Sequence, residues 1–186
     1  DVVLSTGEQV TSALLATALN DLNIKARSWL GWQVPIISDN SYGKAVIEEI
    51  KTDNILEFLE KNQVAIISGF QGVSKENRIT TLGRGGSDTS AVAIAAAFSA
   101  ERCDIYTDVD GVYTTDPNLE PKAKKINKLA FEEMLEMSST GAKVLHTRSV
   151  ELAMKNNLTL QVLSSITKKT GTLVVDENKL IEKEIV

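Results

Sequence analysis

The chain has 186 residues, 42% of them hydrophobic and 24% charged, which is typical of one well-packed soluble domain. Its 20 Lys and Arg residues against 25 Asp and Glu residues give a net charge of −5, with no dense basic cluster, so we expect no nucleic-acid partner. Cys103 and His146 are the only residues of their types, which excludes an intrachain disulfide, a Cys/His zinc cluster and most His-based triads.

The sequence predicts no membrane segment. The longest apolar run, around Ala91 to Phe98, is far shorter than the roughly 20 residues that span a bilayer, and the N-terminus has no signal-peptide pattern. We therefore expect no membrane partner and a cytoplasmic location, which a single cysteine also fits.

The first third of the chain predicts two helices separated by a strand and a loop. Ser5 followed by Glu8 resembles a capping box, and helical spacing of apolar residues then predicts a helix from about Thr6 to Leu22. A β-tolerant stretch follows from Ile24 to Leu30, and then a polar loop from Asp39 to Gly43. A second helix is predicted from Thr52 or Asp53 to about Asn62.

A strand, a hairpin and a helix are predicted next. Val64 to Phe70, V-A-I-I-S-G-F, is short and almost wholly apolar, so we expect a parallel strand in the middle of a sheet. Gln71 to Thr81 predicts a β-hairpin that turns near Lys75 to Asn77. After it, Leu82 to Asp88 opens a small-residue helix that reaches Ala100.

The second half again alternates strands with helices. Strands are predicted at Cys103 to Thr107, Leu158 to Leu163 and Thr172 to Val175, and helices at Phe131 to Met137 and Ala142 to Asn156. This alternation predicts an α/β fold with layers around a mostly parallel sheet. We expect the domain to span residues 1–175 and the charged residues 176–186 to form a linker.

The segment G-R-G-G-S-D, Gly83 to Asp88, is the strongest local signal. Glycines let backbone N–H groups approach an anion at a helix N-terminus, and the Arg84 guanidinium can hold a carboxylate through two parallel hydrogen bonds. The alternative is a tight turn in which Asp88 caps the helix.

A second polar segment, Thr107 to Pro117, follows a buried strand at the edge where open α/β sheets bind ligands. Asp108 and Asp110 can accept hydrogen bonds from a base or ribose, and Tyr113 can pack on a ring. The alternative is a solvated turn, since D-G and D-P pairs are ordinary turn chemistry.

Lys143 closes the segment S-S-T-G-A-K at a predicted helix start, where a cation is unfavourable unless an anion such as nucleotide phosphate lies nearby. The alternative is a solvated surface lysine. His146 more often satisfies a local hydrogen bond than performs catalysis.

Five ordered segments resemble those of the aspartokinases, a branch of the amino acid kinase family. They are S-T-G-E-Q (Ser5 to Gln9), S-G-F-Q-G (Ser68 to Gly72), T-T-L-G-R-G-G-S-D (Thr80 to Asp88), Y-T-D-V-D-G-V-Y-T-T-D-P (Tyr106 to Pro117) and G-A-K-V-L-H (Gly141 to His146). Because T-T-L-G-R-G-G-S-D is characteristic of aspartokinases among these kinases, it carries most of the substrate assignment.

The resemblance implies a three-layer αβα sandwich and two ligand sites. In the aspartate site, Glu8 would accept from the ammonium group and Arg84 would hold a carboxylate. The residues that would line the same pocket are Phe70, Gly85, Gly86 and Ser87. The residues that would surround ATP are Thr107, Asp108, Tyr113 and Asp116, with Lys143 on the phosphates and Asp88 orienting lysines around the transferring group.

The implied activity is MgATP-dependent phosphorylation of the side-chain carboxylate of L-aspartate to 4-phospho-L-aspartate, the first step toward lysine, threonine and methionine. ATP and Mg²⁺ are the implied cofactors, and a homo-oligomer is expected at full length. Two alternatives stay open. One is a non-catalytic ligand-binding or assembly fragment, and the other is a kinase of a different amino acid or of a carbamoyl group.

The chain also departs from the aspartokinase pattern. It contains no K-F-G-G-[ST] phosphate loop, and it ends about where regulatory ACT domains begin, so we expect a fragment that is inactive by itself. Asn118 and Thr147 stand where Arg and Pro are common, which affects the expected nucleotide contact near Asn118.

Overall fold

A computed structural model describes residues 1–141, 144–167 and 169–181. The chain divides into two compact units, Asp1–Phe98 and Ser99–Val186. Both units combine helices with sheets that are rich in parallel strand pairs, which confirms the predicted α/β class.

The first unit contains three helices and six strands. The helices are α1 (Val2–Asp21), α2 (Asp53–Leu59) and α3 (Gly86–Ala97), and the strands are β1 (Ala26–Trp29), β2 (Ile36–Ser38), β3 (Ile47–Ile50), β4 (Val64–Ile67), β5 (Gln71–Ser74) and β6 (Ile79–Thr81). β1 pairs with β4 in parallel, and a four-stranded sheet has the order β3-β2-β5-β6 with β2 and β5 parallel. The hairpin predicted from Gln71 to Thr81 is confirmed as β5 and β6.

The core of this unit lies between the sheets and α2. Val34, Ile36 and Ile55 are fully buried, and Ala65 and Ile67 of β4 pack against them from one face, as residues two apart on a strand do. The prediction that β4 lies in the middle of a sheet is wrong, because in the described part of the chain it pairs with β1 alone. Its apolar sequence is explained by the packing on its face and not by strand neighbours on both sides.

The inner face of α1 is polar. Ser5 and Ser12 are buried, and the Ser12 and Ser68 hydroxyls lie 2.7 Å apart. Because α1 already begins at Val2, Ser5 lies inside the helix and bonds to the Val2 carbonyl, so the predicted capping box is wrong. Exposed apolar residues are instead found along α1, at Val2, Val3, Leu4, Val10, Leu14 and Leu15.

By length and composition α1 could cross a membrane. Nevertheless, its polar residues bond to the rest of the first unit: the Gln9 side-chain amide donates to the Gln71 side chain at 3.2 Å. The expectation of no membrane partner remains a prediction.

In its described residues, the second unit contains six strands and three helices. The strands are β7 (Arg102–Thr107), β8 (Val112–Tyr113), β9 (Lys125–Ile126), β10 (Lys128–Ala130), β11 (Thr159–Ser164) and β12 (Thr172–Val175), and the helices are α4 (Phe131–Ser139), α5 (Thr147–Lys155) and α6 (Asn178–Ile181). Its main sheet has the order β10-β12-β11-β7, in which β7 and β11 are parallel over six residues. This sheet buries Leu160, Val162 and Val174.

The helix predicted from Ala142 begins later, at Thr147. His146 is its N-cap in an extended conformation, and its ring nitrogen Nδ1 accepts from the Arg148 N–H at 3.4 Å, as the local interpretation of His146 predicts. Ala142 and Lys143 lie outside the described residues. Within residues 176–186, predicted to be a linker, the structure describes the short helix α6.

Candidate functional site

The turn before α3 is built on two left-handed glycines. Gly83 has φ +74° and Gly85, the N-cap of α3, has φ +69°, a region that strongly favours glycine. A Cβ on Gly83 would also lie 2.9 Å from the Gly43 carbonyl oxygen. The N-cap residue of α3 is Gly85 and not Asp88, which lies half-buried in the first turn of the helix.

This turn borders a cavity of about 400 Å³ in the first unit. The lining residues are Leu4, Gly43, Phe70, Thr81, Gly83, Arg84, Gly85, Gly86 and Ser87. The structure therefore brings together five residues predicted to bind substrate: Phe70, Arg84, Gly85, Gly86 and Ser87. Because Arg84 is exposed beside the N-terminus of α3, the cavity has a positive mouth suited to a carboxylate.

Phe70 closes one side of the cavity in a strained conformation. Its φ of +65° is rare for a bulky residue and is held by two hydrogen bonds. The Phe70 N–H donates to Ser90 Oγ at 2.9 Å, and its carbonyl accepts from the Leu82 N–H at 2.9 Å. The ring is thereby tied to both ends of the glycine turn.

Glu8 lies on the inner face of α1, one turn after Leu4 on the same helix face. Its Oε2 is buried and has no hydrogen-bond partner among the described residues, while its backbone carbonyl accepts from Ser68 Oγ at 3.4 Å. A buried acceptor of this kind is costly unless a donor reaches it, so it is suited to a cationic group such as an ammonium. Glu8 is not among the residues that line the cavity.

Asp1 bonds to two residues that line the cavity, Gly43 and Thr81, and sequence reasoning missed this contact. Asp1 Oδ2 accepts from the Gly43 N–H at 3.0 Å and from the Thr81 N–H at 2.8 Å. One carboxylate thus joins the start of α1, the loop before β3 and the end of β6. No sequence signal marks this contact, because the three residues are far apart in the chain.

A second cavity, of about 1220 Å³, lies in the second unit at the carboxyl ends of β7 and β11. It is lined by residues 107–119 and by Met137, Thr140, Gly141, Val144, Ser164, Ile166, Thr167 and Lys169. All four described residues of the predicted nucleotide site, Thr107, Asp108, Tyr113 and Asp116, lie here. Its volume exceeds the roughly 300–1,000 Å³ of most small-molecule pockets.

A short side-chain hydrogen bond in this second cavity joins Tyr113 to Asp110. The Tyr113 hydroxyl donates to Asp110 Oδ1 at 2.7 Å, and Lys169 Nζ lies 3.6 Å from Asp110 Oδ2. The hydrogen bond from Tyr113, together with the charges of Lys125 and Lys169, holds the pKa of Asp110 below its ordinary value. The same bond raises the pKa of Tyr113, so the phenol stays protonated and its ring is anchored.

The two other aspartates of this cavity make local bonds. Asp108 Oδ1 accepts from the Thr107 hydroxyl at 3.1 Å. Asp116 Oδ1 accepts from both the backbone N–H and the side-chain amide of Asn118, at 2.8 and 3.1 Å, which is turn chemistry as the solvated-turn alternative predicts. Both carboxylates keep oxygen lone pairs that can accept from a ligand.

Two lysines concern the charge of the second cavity. Lys143, predicted to contact phosphate, lies outside the described residues, so its role stays a prediction. Lys169, which follows β11 and lines the cavity, was missed from the sequence. It lies there because the parallel register of Thr107 with Ser164 places the ends of β7 and β11 side by side. Within the described part of the chain, no group of three or more His, Cys, Asp or Glu residues could hold a metal ion.

Comparisons with known proteins identify relatives across the whole chain. The model of the amino acid kinase family matches residues 1–164. The chain is 54% identical to an aspartokinase of Rickettsia felis, over all of this chain and 47% of that protein. It is 52% identical to an aspartate kinase of Pseudomonas putida, over all of this chain and 46% of that protein. The chain thus spans about half the length of these curated relatives.

Solved structures give the same result. Aspartokinase III of E. coli in complex with aspartate and ADP matches with a TM-score of 0.85 and 35% identity, over 95% of this chain and 40% of that one. Aspartate kinase from Synechocystis matches with a TM-score of 0.82 and 46% identity, over 95% of this chain and 28% of that one. UMP kinase of Bacillus anthracis, at 20% identity and a TM-score of 0.65, shares the fold.

Proposed function

This chain belongs to the amino acid kinase family, and we propose that it forms the substrate-binding part of an aspartate kinase. The reaction is transfer of the γ-phosphoryl group of ATP to the side-chain carboxylate of L-aspartate, which gives 4-phospho-L-aspartate. The observation that carries this proposal is the cavity at the N-terminus of α3, where Arg84 stands beside Gly85, Gly86 and Ser87. The identity to curated aspartokinases supports the choice of substrate.

In the amino-acid site, the two ends of the substrate meet opposite charges. Arg84 holds a carboxylate through its planar pair of N–H donors, and the first amides of α3 add positive potential. Glu8 Oε2, which is buried without a partner among the described residues, accepts from the substrate ammonium. Phe70 supplies the apolar wall between them.

In the nucleotide site, the segment after β7 surrounds ATP. The Tyr113 ring, fixed by its bond to Asp110, packs on the nucleotide, while Asp108 and Asp116 accept from its hydroxyl or amino groups. Thr107 closes the strand end, and Lys143 contacts the phosphates. When bound with the nucleotide, Mg²⁺ would supply charge neutralisation to the phosphates.

Catalysis in this assignment is mainly positioning and electrostatic stabilisation. Lys143 neutralises charge that develops on the transferring phosphoryl group. Asp88, half-buried in the first turn of α3, orients the lysines around that group and lies one residue after the substrate-binding Ser87. The enzyme needs no covalent intermediate for this chemistry.

In the same assignment, residues 1–175 form an amino acid kinase domain and residues 176–186 lead toward a further domain. The whole protein is a cytoplasmic homo-oligomer. It acts at the first step of lysine, threonine and methionine biosynthesis.

The test is a substrate panel on the full-length protein that contains this chain, at saturating MgATP. We expect turnover with L-aspartate and at least tenfold lower kcat/KM with L-glutamate, N-acetyl-L-glutamate, carbamate and UMP. A preference for any of the other four would make this chain part of a different kinase. Aspartate binding without any turnover would support a non-catalytic role.

A further inference from the structure

Thr81, the last residue of β6, is fully buried, and its hydroxyl has no hydrogen-bond partner among the described residues. Its main chain is satisfied: the Thr81 N–H donates to Asp1 Oδ2 at 2.8 Å, and its carbonyl accepts from the Ala45 N–H at 2.9 Å. A buried hydroxyl without a partner costs free energy, and native proteins rarely keep one without a reason.

The preceding residue shows the ordinary arrangement. Thr80 is equally buried, but its hydroxyl lies 2.5 Å from the Ser38 hydroxyl. Successive residues of a strand point to opposite faces of its sheet. Thr80 therefore lies on the same face as Ser38, and Thr81 lies on the opposite face. Two adjacent threonines with the same burial therefore differ in whether the hydroxyl has a partner among the described residues.

Thr81 lies on the face of the sheet that carries Gln71 and contacts α1. Thr81 pairs directly with Gln71 across β5 and β6, and directly paired residues of antiparallel strands point to the same side. Gln71 uses that side to bond to Gln9 and to the Ser5 carbonyl on α1. α1 also carries Glu8, whose Oε2 is the other unpartnered carboxylate or hydroxyl oxygen found buried in the described residues.

We infer that Thr81 is a substrate-binding residue whose hydroxyl donates a hydrogen bond to a carboxylate of the amino-acid substrate. This inference rests on the proposed function, because it concerns the same cavity. Thr81 lines that cavity together with Arg84 and the first residues of α3, where the local charge is positive and attracts an anion. A hydroxyl in this position donates to the carboxylate and forms a charge-assisted bond.

The experiment compares Thr81→Val, Thr81→Ser and the control Thr80→Val. Each variant of the full-length protein is assayed for its KM for L-aspartate and for ATP, for its aspartate Kd by calorimetric titration, and for its Tm. We expect Thr81→Val to weaken aspartate binding by about 10- to 100-fold, the usual loss for a hydrogen bond to a charged group, with the ATP KM unchanged and the Tm unchanged or higher. Thr81→Ser keeps the hydroxyl and should retain most of the affinity.

Thr80→Val removes a hydroxyl that has a protein partner, so we expect a lower Tm and an unchanged aspartate Kd. Unchanged aspartate affinity in Thr81→Val, or an equal loss in Thr81→Ser, would overturn the inference while leaving the proposed function intact. A lower Tm in Thr81→Val without a change in aspartate affinity would also overturn it, since this is the result expected for Thr80→Val, which removes a hydroxyl with a structural role. Unsubstituted protein that neither binds nor phosphorylates aspartate would overturn the proposed function and the inference together.

Discussion

The ring of Phe70 packs against the backbone of Gly86 so closely that a Cβ on Gly86 would lie 2.8 Å from Phe70 Cδ2. Gly86 is the first residue of α3, and Phe70 lines the same cavity from the end of the loop after β4. The strained φ of Phe70 is held in place by Ser90, one turn further along α3. The apolar wall and the anion-binding helix start are therefore one packed unit.

Gly86→Ala should displace the Phe70 ring, because the new methyl group would also meet Leu82 Cβ at 3.1 Å. We expect the free energy of unfolding to fall by about 1–3 kcal/mol, the usual cost of overpacking, and the KM for aspartate to rise. Urea denaturation and steady-state kinetics measure the two effects. In the control Gly7→Ala, the methyl group meets nothing within 4 Å on α1, so stability should stay equal or rise by up to about 1 kcal/mol. Wild-type stability and KM in Gly86→Ala would show that this contact relaxes freely.

Arg84→Ala should weaken the use of aspartate far more than the use of ATP. Arg84 stands at the mouth of the first cavity, and the substitution removes a charge-assisted contact to a carboxylate, which is worth about 10- to 100-fold in kcat/KM. The measurement is the KM for each substrate in the full-length protein. Arg78→Ala is the matched control, since Arg78 is an exposed arginine of the β5–β6 turn in the same unit. An equal rise in the KM for aspartate and for ATP would show that Arg84 does not bind aspartate specifically.

The fold was predictable from sequence where a single segment carries its own signal. The hairpin of β5 and β6 and the strand β12 have clear patterns, and both are confirmed. The strands β2 and β3 were missed because they have three and four residues, and I-E-E-I in β3 lacks the alternation of a half-buried strand. The helix α1 was predicted to start too late, because two of its three buried residues are serines and many of its apolar residues are exposed.

The candidate site divides in the same way. Gly83 to Asp88 and Thr107 to Asp116 are contiguous, so turn chemistry and spacing indicated them before the structure. Asp1 reaches a residue of the first cavity, Thr81, only through a contact between residues 80 positions apart, which no local pattern indicates. Lys169 joins the second cavity because β7 and β11 are neighbours, a pairing that strand patterns alone do not give.

Lys143→Ala should lower kcat with ATP by about 100-fold, the typical effect of removing one group that stabilises charge in the transition state, without changing the Tm. The substitution is made in the full-length protein and followed by a coupled assay at saturating MgATP and aspartate. Lys155→Ala is the control, because Lys155 is an exposed lysine in the last turn of α5. Wild-type turnover in Lys143→Ala would support the alternative in which Lys143 is a solvated surface lysine without a role in catalysis.

The bond between Tyr113 and Asp110 should be visible as two opposite pKa shifts. The folded-state pKa of Asp110 is lowered from 3.8, so its stabilisation is present above that pH and is lost as the pH falls through the folded value. The folded-state pKa of Tyr113 is raised from 10.0, so its stabilisation is present below that pH and is lost as the pH rises through the folded value.

Asp110→Asn should therefore return the Tyr113 pKa toward 10.0, as measured from the phenol ¹³Cζ shift in an NMR titration. Asp108→Asn should leave it unchanged, because Asp108 bonds to Thr107. If both variants keep the raised value, burial of the ring and not the Asp110 bond sets the pKa of Tyr113, and the ring is not anchored by this contact.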